Sequence, residues 1–122
     1  MKTISDAELE VMQLIWDHEG EPMTVKEIQQ NLISEKQWKI TTVQTFIKRL
    51  TDKGYLNVEK INGLNKYNAK VSRDAFSSSE TKKIINTIHS GSVKDFVASL
   101  IDSDDLTSDD IDDLRNWLND HE

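Results

Sequence analysis

Thr41, Thr42, Gln44, Thr45, Lys48, Arg49 and Lys53 fall within one short stretch, "WKITTVQTFIKRLTDKGYL" at residues 38 to 56. Together they carry the donors, acceptors and positive charge that a polyanion requires. Gln can pair bidentately with adenine, and Thr offers a hydroxyl plus a methyl group for thymine, whereas Lys and Arg hold phosphates. Nothing elsewhere in the chain offers comparable chemistry. No Gly-rich phosphate loop, nucleophile elbow or paired-carboxylate spacing occurs, so no residues are left to carry an enzymatic reaction and the chain reads as a non-enzyme.

Metal and cofactor chemistry lack a carrier as well. With no Cys, disulfides, thiolate metal sites and cysteine nucleophiles are excluded. The run "DSDDLTSDDIDD" invites comparison with a calcium loop. Counted from Asp102, however, it puts Leu106 where a ligand is needed, Thr107 at the turn glycine and Asp113 at the closing glutamate. Its carboxylates suit a helix start instead. His18, His89 and His121 lie far apart with no neighbouring ligand pattern. We therefore expect no metal and no cofactor.

The chain has 122 residues, a formal charge of −7, 36% hydrophobic and 30% charged residues, one Pro and four Gly. That composition predicts a folded globular protein. The N-terminus has no uninterrupted apolar core and no run approaches ~18 apolar residues, so we expect a cytoplasmic protein with no membrane contact. The charge is unevenly spread. Residues 1 to 35 hold two Lys/Arg against eight Asp/Glu, residues 36 to 73 hold nine against two, and residues 81 to 122 hold four against ten. A local cationic excess in an otherwise acidic chain is the footprint of polyanion binding, with the remaining surface repelling the same ligand.

The elements that must position those cations can be read from capping and period. Ser5 with Glu8 has capping-box spacing ahead of Ala7, Val11, Leu14 and Ile15, which predicts a helix over about 5 to 19. Gly20 stops it, and Thr24 with Glu27 repeats the box for a second helix over about 24 to 34. Thr41 with Gln44 suggests a third box, opening a helix that runs to Lys53 and ends on Gly54. Alternation then replaces the helical period. Asn62-Gly63 is a hairpin signal between strands of about 55 to 61 and 64 to 69. Helices resume near Ser72. Met12 and the Trp residues are expected in the core.

Three helices followed by a hairpin make a winged helix-turn-helix, so the fold class is mainly α with a small β wing. We expect residues 1 to 71 to form this domain and 72 to 122 a helical dimerisation region. On the third helix Val43, Phe46, Ile47 and Leu50 form the buried stripe. Thr42, Gln44 and Thr45 are then the candidate base readers. Thr41, Lys48, Arg49 and Lys53, with Lys60, Asn62 and Lys66 from the wing, are the candidate phosphate contacts. The C-terminal apolar faces comprise Ile84, Ile85, Ile88, Phe96, Val97, Leu100, Ile101, Leu106, Ile111, Leu114, Trp117 and Leu118. With little else in the chain to cover them, they predict a homodimer.

Three segments, "ISDAELEVMQLIW", "WKITTVQTFIKRLTDKGYL" and "DLTSDDIDDLRNWL", resemble the penicillinase repressor family, also called BlaI/MecI. The resemblance spans nearly the whole chain. It implies a dimeric winged-helix repressor that binds operator DNA. It further implies base contacts from the third helix, mapping onto Thr42, Gln44 and Thr45, and a phosphate contact at Arg49. The β-lactam-responsive members are inactivated by cleavage of an Asn-Phe bond in the dimerisation helix. The matching candidate cleavage position here reads Ser99-Leu100 in place of Asn-Phe. A related copper-responsive branch ends in Cys-x-Cys pairs, which this chain lacks. The inducing protease or ligand stays open. The expected function is thus a repressor on a pseudo-palindromic double-stranded operator. The alternative is a winged-helix protein-interaction module, an adaptor or inhibitor, that does not bind DNA.

Overall fold

Ser5 opens the first helix as its spacing with Glu8 predicts. In the computed structural model, which describes residues 1–32 and 37–120, α1 covers Asp6–Asp17. The Ser5 hydroxyl accepts from the Glu8 backbone N–H at 3.2 Å while the Glu8 carboxylate accepts from the Ser5 N–H. Thr24 and Glu27 make the same reciprocal pair at the start of α2 (Val25–Asn31). Residues 33 and 34, within the range the sequence predicts for this helix, lie outside the described residues.

The third capping box does not form. α3 (Ile40–Asp52) begins after Lys39, which makes no side-chain cap. Thr41 and Gln44 are therefore already inside the helix. The connector decides the start: Gln29 Nε2 donates to the Trp38 carbonyl at 3.1 Å, and the Trp38 ring meets Phe46 edge-on at 5.1 Å. Held there, the chain turns helical ahead of Thr41, and tertiary contact overrides the local signal. The other end follows the sequence closely. Gly54 has φ +83°, its N–H reaches the Thr51 carbonyl at 3.1 Å, and the Tyr55 N–H reaches the Leu50 carbonyl at 2.9 Å. This is the Schellman arrangement, with buried Leu50 and Tyr55 as its apolar contact.

Strands β1 (Leu56–Ile61) and β2 (Leu64–Ala69) pair antiparallel from Leu56↔Ala69 to Ile61↔Leu64. Asn62 and Gly63 both take positive φ, as a two-residue turn between twisted strands requires. Sequence reading did not find that Met23 bridges Tyr67 through two backbone hydrogen bonds, of 2.9 and 2.8 Å, on the open edge of β2. This ties the ribbon to the loop before α2. The core comprises Val11, Met12, Ile15, Met23, Ile28, Val43, Ile47, Leu50, Tyr55 and Leu56. Three helices and a pinned hairpin on that core make a winged helix.

The described chain divides into two compact units, Met1–Ser78 and Ser79–Glu122. The division falls seven residues beyond the boundary read from the sequence, because the start of α4 (Arg73–Ile88) is fastened to the first unit. Trp16 Nε1 donates to the Val71 carbonyl at 2.9 Å, and Arg73 pairs with Asp17 and stacks over the Trp16 ring. Phe76 lies against both Trp16 and Tyr55.

In the second unit α5 (Val93–Asp102) is capped by Ser92, and α6 (Ser108–Asp120) follows a Thr107–Asp110 box. None of the described residues of α4, α5 or α6 is fully buried. Trp117 is 54% exposed, which corrects the expectation that every Trp lies in the core; Trp16 and Trp38 are half-buried. Among the described residues no helix is long and apolar enough to cross a membrane.

Among the described residues of the first unit, one charged side chain is buried. Glu8 follows the spacing of Met12 and Ile15 onto the inner face of α1, and Lys53 Nζ reaches its two oxygens at 3.0 and 2.8 Å. Burial pushes the Glu8 carboxyl up. Hydrogen bonds from Lys53 and Ser5, together with the Lys53 charge, outweigh burial and hold it below the ordinary glutamate value. Because the folded pKa is the lower one, the stability Glu8 contributes is present above its unfolded value and lost as pH falls through the folded one. Glu8→Gln should therefore cost about 2 kcal/mol at pH 7 and flatten the acid side of the stability curve. Urea denaturation at pH 7 and below pH 4 checks both, and an acid slope equal to that of the unaltered chain would remove Glu8 as its source.

Candidate nucleic-acid interface

Val43, Ile47 and Leu50 face the core, and the other side of α3 is turned to solvent. At ~100° per residue, Thr41 and Thr45 stand opposite that buried stripe, with Lys48 on one flank and Arg49 on the other. All four are exposed. The Thr45 hydroxyl donates to the Thr41 carbonyl at 3.1 Å, leaving its oxygen as an acceptor and its methyl group for outside contact. Lys48 pairs with Asp52 at 2.9 Å, but both side chains are well exposed, so the pair gives way readily to a stronger anion. Arg49 makes no ion pair among the described residues.

The three residues read as base contacts do not form one cluster. Thr42 and Gln44 lie about 160° apart around the helix. Thr42 is half-buried on the side of Phe46, while Gln44 is exposed on the side of the ribbon. Only Thr45 sits at the centre of the outward arc.

Lys53 is engaged differently. Its ammonium is held by Glu8 and its side chain is only 26% exposed. The ammonium read as a phosphate contact is thus engaged by Glu8 in this structure. The sequence did contain a signal: a glutamate four residues before Met12 and seven before Ile15 falls on the apolar stripe of α1, where a buried carboxylate demands a cation.

The wing residues also separate. Lys60 pairs across the ribbon with Asn65, and Val58 with Tyr67, so these four share one face. Lys66 pairs with Glu59 on the other face, half-buried, and its positive charge reaches Glu27. Thr24 is the main cause of the lowered Glu27 pKa, first through its backbone and then its side-chain hydrogen bond. Asn62 is exposed at the turn.

Between α3 and the ribbon runs a groove of about 700 Å³, lined on one side by Ile40, Gln44 and Lys48 and on the other by Val58, Leu64 and Tyr67, with Lys26 at the start of α2. Lys26 escaped sequence reading because it sits in a strongly acidic segment.

Of the apolar C-terminal residues, Ile84, Ile88, Ile101, Leu114, Trp117 and Leu118 are exposed. Ile85, Phe96, Val97, Leu100, Leu106 and Ile111 are half-buried. Ser99 and Leu100 lie within the helical turns of α5, and the Ser99 hydroxyl donates to the Phe96 carbonyl at 2.7 Å. Among the described residues no group of three or more His, Asp or Glu side chains is arranged to hold a metal ion.

With this geometry in place, comparison with known proteins is decisive about kinship. The sequence pattern of the penicillinase repressor family matches residues 4–120. The chain belongs to that family. It is 33% identical over 118 residues to the methicillin resistance regulatory protein MecI of Staphylococcus aureus (strain N315), covering 95% of this chain and 93% of that one. It is 30% identical over 118 residues to the penicillinase repressor of Bacillus licheniformis, covering 97% and 91%.

Among solved structures, the B. licheniformis BlaI monomeric form in complex with the blaP half-operator aligns with TM-score 0.51 and 35% identity, over 61% of this chain and 88% of that one. The DNA-binding domain of the repressor BlaI aligns with TM-score 0.51 and 36% identity, over 62% and 93%. Members of the penicillinase repressor family thus share with this chain both sequence and the winged-helix arrangement of α1 to β2.

Proposed function

We propose that this chain is a sequence-specific DNA-binding repressor that acts as a homodimer on a pseudo-palindromic operator. The observation that carries the reading is the outward face of α3. It bears Thr41, Thr45, Lys48 and Arg49 on a rigidly seated helix beside a cationic ribbon, in a chain that is acidic elsewhere. Its family membership and the likeness to BlaI bound to a half-operator support it.

A helix ~10–12 Å across fits a major groove ~12 Å wide, so α3 enters it side-on and presents Thr45 to the base edges. Gln44 reaches the same edges from the ribbon flank, and Thr42 lies on the opposite flank. Arg49 and Lys48 take phosphates on the two sides, and Lys60, Asn62 and Lys66 extend the contact along the backbone. The exposed Trp117, Leu118 and Leu114 of α6, with Ile84 and Ile88 of α4, supply the surface on which two chains join. A dimer then places two α3 helices about 34–36 Å apart in successive major grooves. Occupying the operator excludes the transcription machinery, and this requires no catalytic step. Such a protein works in the cytoplasm, where the chromosome of a bacterium lies.

Two protomers each offering Lys48, Arg49, Lys60 and Lys66 neutralise about eight phosphates, so log K should fall against log salt with slope about −7 or steeper. Arg49→Ala should weaken all sequences alike and reduce that slope by about 2. A flat salt response in a fluorescence-anisotropy titration contradicts the reading. Thr45→Ala should instead lower the preference for one base pair per half-site by ~1 kcal/mol, measured by competition among operator variants. Sedimentation should show the unaltered chain as a dimer. Trp117→Ala with Leu118→Ala should give monomers that bind the full operator more than ~tenfold less tightly and a half-site as before. An unaltered chain that sediments as a monomer while bound to a full operator removes the dimer from the mechanism.

A further inference from the structure

The short connector between β2 and α4 is fastened at every residue. The Lys70 N–H donates to the Tyr55 carbonyl at 2.8 Å, the Val71 carbonyl accepts from Trp16 Nε1, and the Ser72 hydroxyl accepts from the Ala75 N–H at 3.1 Å. The first turn of α4 then sets two side chains on the same indole. Arg73 and Phe76, three residues apart on one helix face, meet Trp16 as a cation 5.7 Å from the ring centroid and as a tilted ring at 5.6 Å, and Arg73 also pairs with Asp17. Phe76 meets Tyr55 edge-on at 6.0 Å as well. Tyr55 is the buried residue that closes the cap of α3, so the start of α4 is held to the ends of α1 and α3 together. None of this is needed to complete the core. Its buried apolar residues all lie between Val11 and Leu56, and no described residue of α4 is fully buried. What a carbonyl, a cation and a ring gathered on one indole do hold is a direction, because pivoting α4 about its first turn breaks at least one of the three. The helix runs unbroken from Arg73 to Ile88, past the division at Ser78.

We propose that this seat, Trp16 with Val71, Arg73 and Phe76, fixes the direction in which α4 leaves the winged helix and so determines which half-site spacing a dimer accepts. The proposal rests on the dimeric operator-binding reading above and deepens it. Each base pair added between half-sites moves one of them ~3.4 Å along the duplex and turns it ~35° about the axis, so two α3 helices on stiff supports fit one arrangement. On loose supports they fit several, with the second helix at a lower effective concentration for each. Trp16 and Arg73 are positioning residues: they act on recognition through α4, and base preference within a half-site stays with α3.

The probe is the pseudo-palindromic duplex that the full chain selects from a random pool, together with versions lengthened or shortened at the centre by two base pairs and a single half-site. The unaltered chain should bind the respaced duplexes more than ~tenfold less tightly than the selected one. Trp16→Phe with Arg73→Ala, which removes the donor and the cation but keeps a ring, should shrink that penalty to under about threefold, weaken binding to the selected duplex and leave half-site affinity unchanged. Arg73→Ala alone, at an exposed site that folding does not need, should move the penalty the same way by a smaller factor. A Gly-Ser-Gly insertion between Ser78 and Ser79 leaves the seat intact but loosens α4 beyond it, and should relax spacing as the double variant does. Seat variants that keep the full spacing penalty, or that lose half-site and selected-duplex affinity by the same factor, overturn the proposal while leaving the repressor reading intact. So does an unaltered chain that binds every spacing alike. An unaltered chain that selects only single half-sites, or no duplex at all, overturns the reading on which the proposal rests.

Discussion

Val43, Ile47 and Leu50 are almost wholly withdrawn from solvent, and a helix held at three such points cannot turn about its own axis without exposing one of them. Everything proposed for the surface depends on that angular setting. A rotation of one residue, ~100°, would bring Phe46 outward and carry Thr45 to a flank. Both ends of α3 are fastened as well. Gln29 and Phe46 hold the connector at Trp38, and Gly54 turns the chain so that Tyr55 returns to Leu50. Base recognition tolerates little error in position, so a reading helix is best built on a core rather than a loop.

The same physics explains why one lysine of the cationic stretch is spent inside. Glu8 serves two roles at once, closing the cap of α1 through Ser5 and receiving Lys53 from the end of α3. A buried carboxylate without that ammonium would carry its desolvation cost uncompensated. The pair therefore links the first helix to the C-terminal end of the third, where Lys53 also favours the helix dipole. A net count of charge over residues 36 to 73 cannot make this distinction. It treats Lys53 and Arg49 as equal, although one lies on a carboxylate and the other stands free of ion pairs among the described residues.

What could be read in the sequence was local. The Ser5–Glu8 and Thr24–Glu27 boxes, the Asn62-Gly63 turn and the Gly54 cap each depend on residues within five positions of one another, and each is present in the structure. What could not be read depended on distant partners. The Thr41–Gln44 spacing is as good a box as the other two, yet Trp38 starts the helix earlier. The bridge of Met23 to Tyr67 joins residues whose types give no hint of pairing. The candidate site shows the same division. Residue types placed Arg49, Lys48 and Thr45 on a cationic helix, while the ribbon faces of Lys60 and Lys66 and the groove at Lys26 needed the strand register and the packing of α2.

The C-terminal unit obeys a different constraint. Ser79–Glu122 is shorter than the ~60 residues at which a lone domain becomes marginal, and none of its described helices buries a residue completely. Its caps at Ser92 and Thr107 set where the helices begin but supply little of the stability a packed core would. Ile88, Val93 and Trp117, each more than half exposed, are apolar surface that water disfavours. On the two-copy reading, covering them completes the core, and folding of this unit is then coupled to association. Stability becomes dependent on protomer concentration. On the same reading, operator occupancy would follow that concentration more steeply than for a preformed dimer, because two chains would have to meet before either α3 gained its partner on the duplex. A signal that opened this unit would therefore release DNA without touching a single residue of the interface.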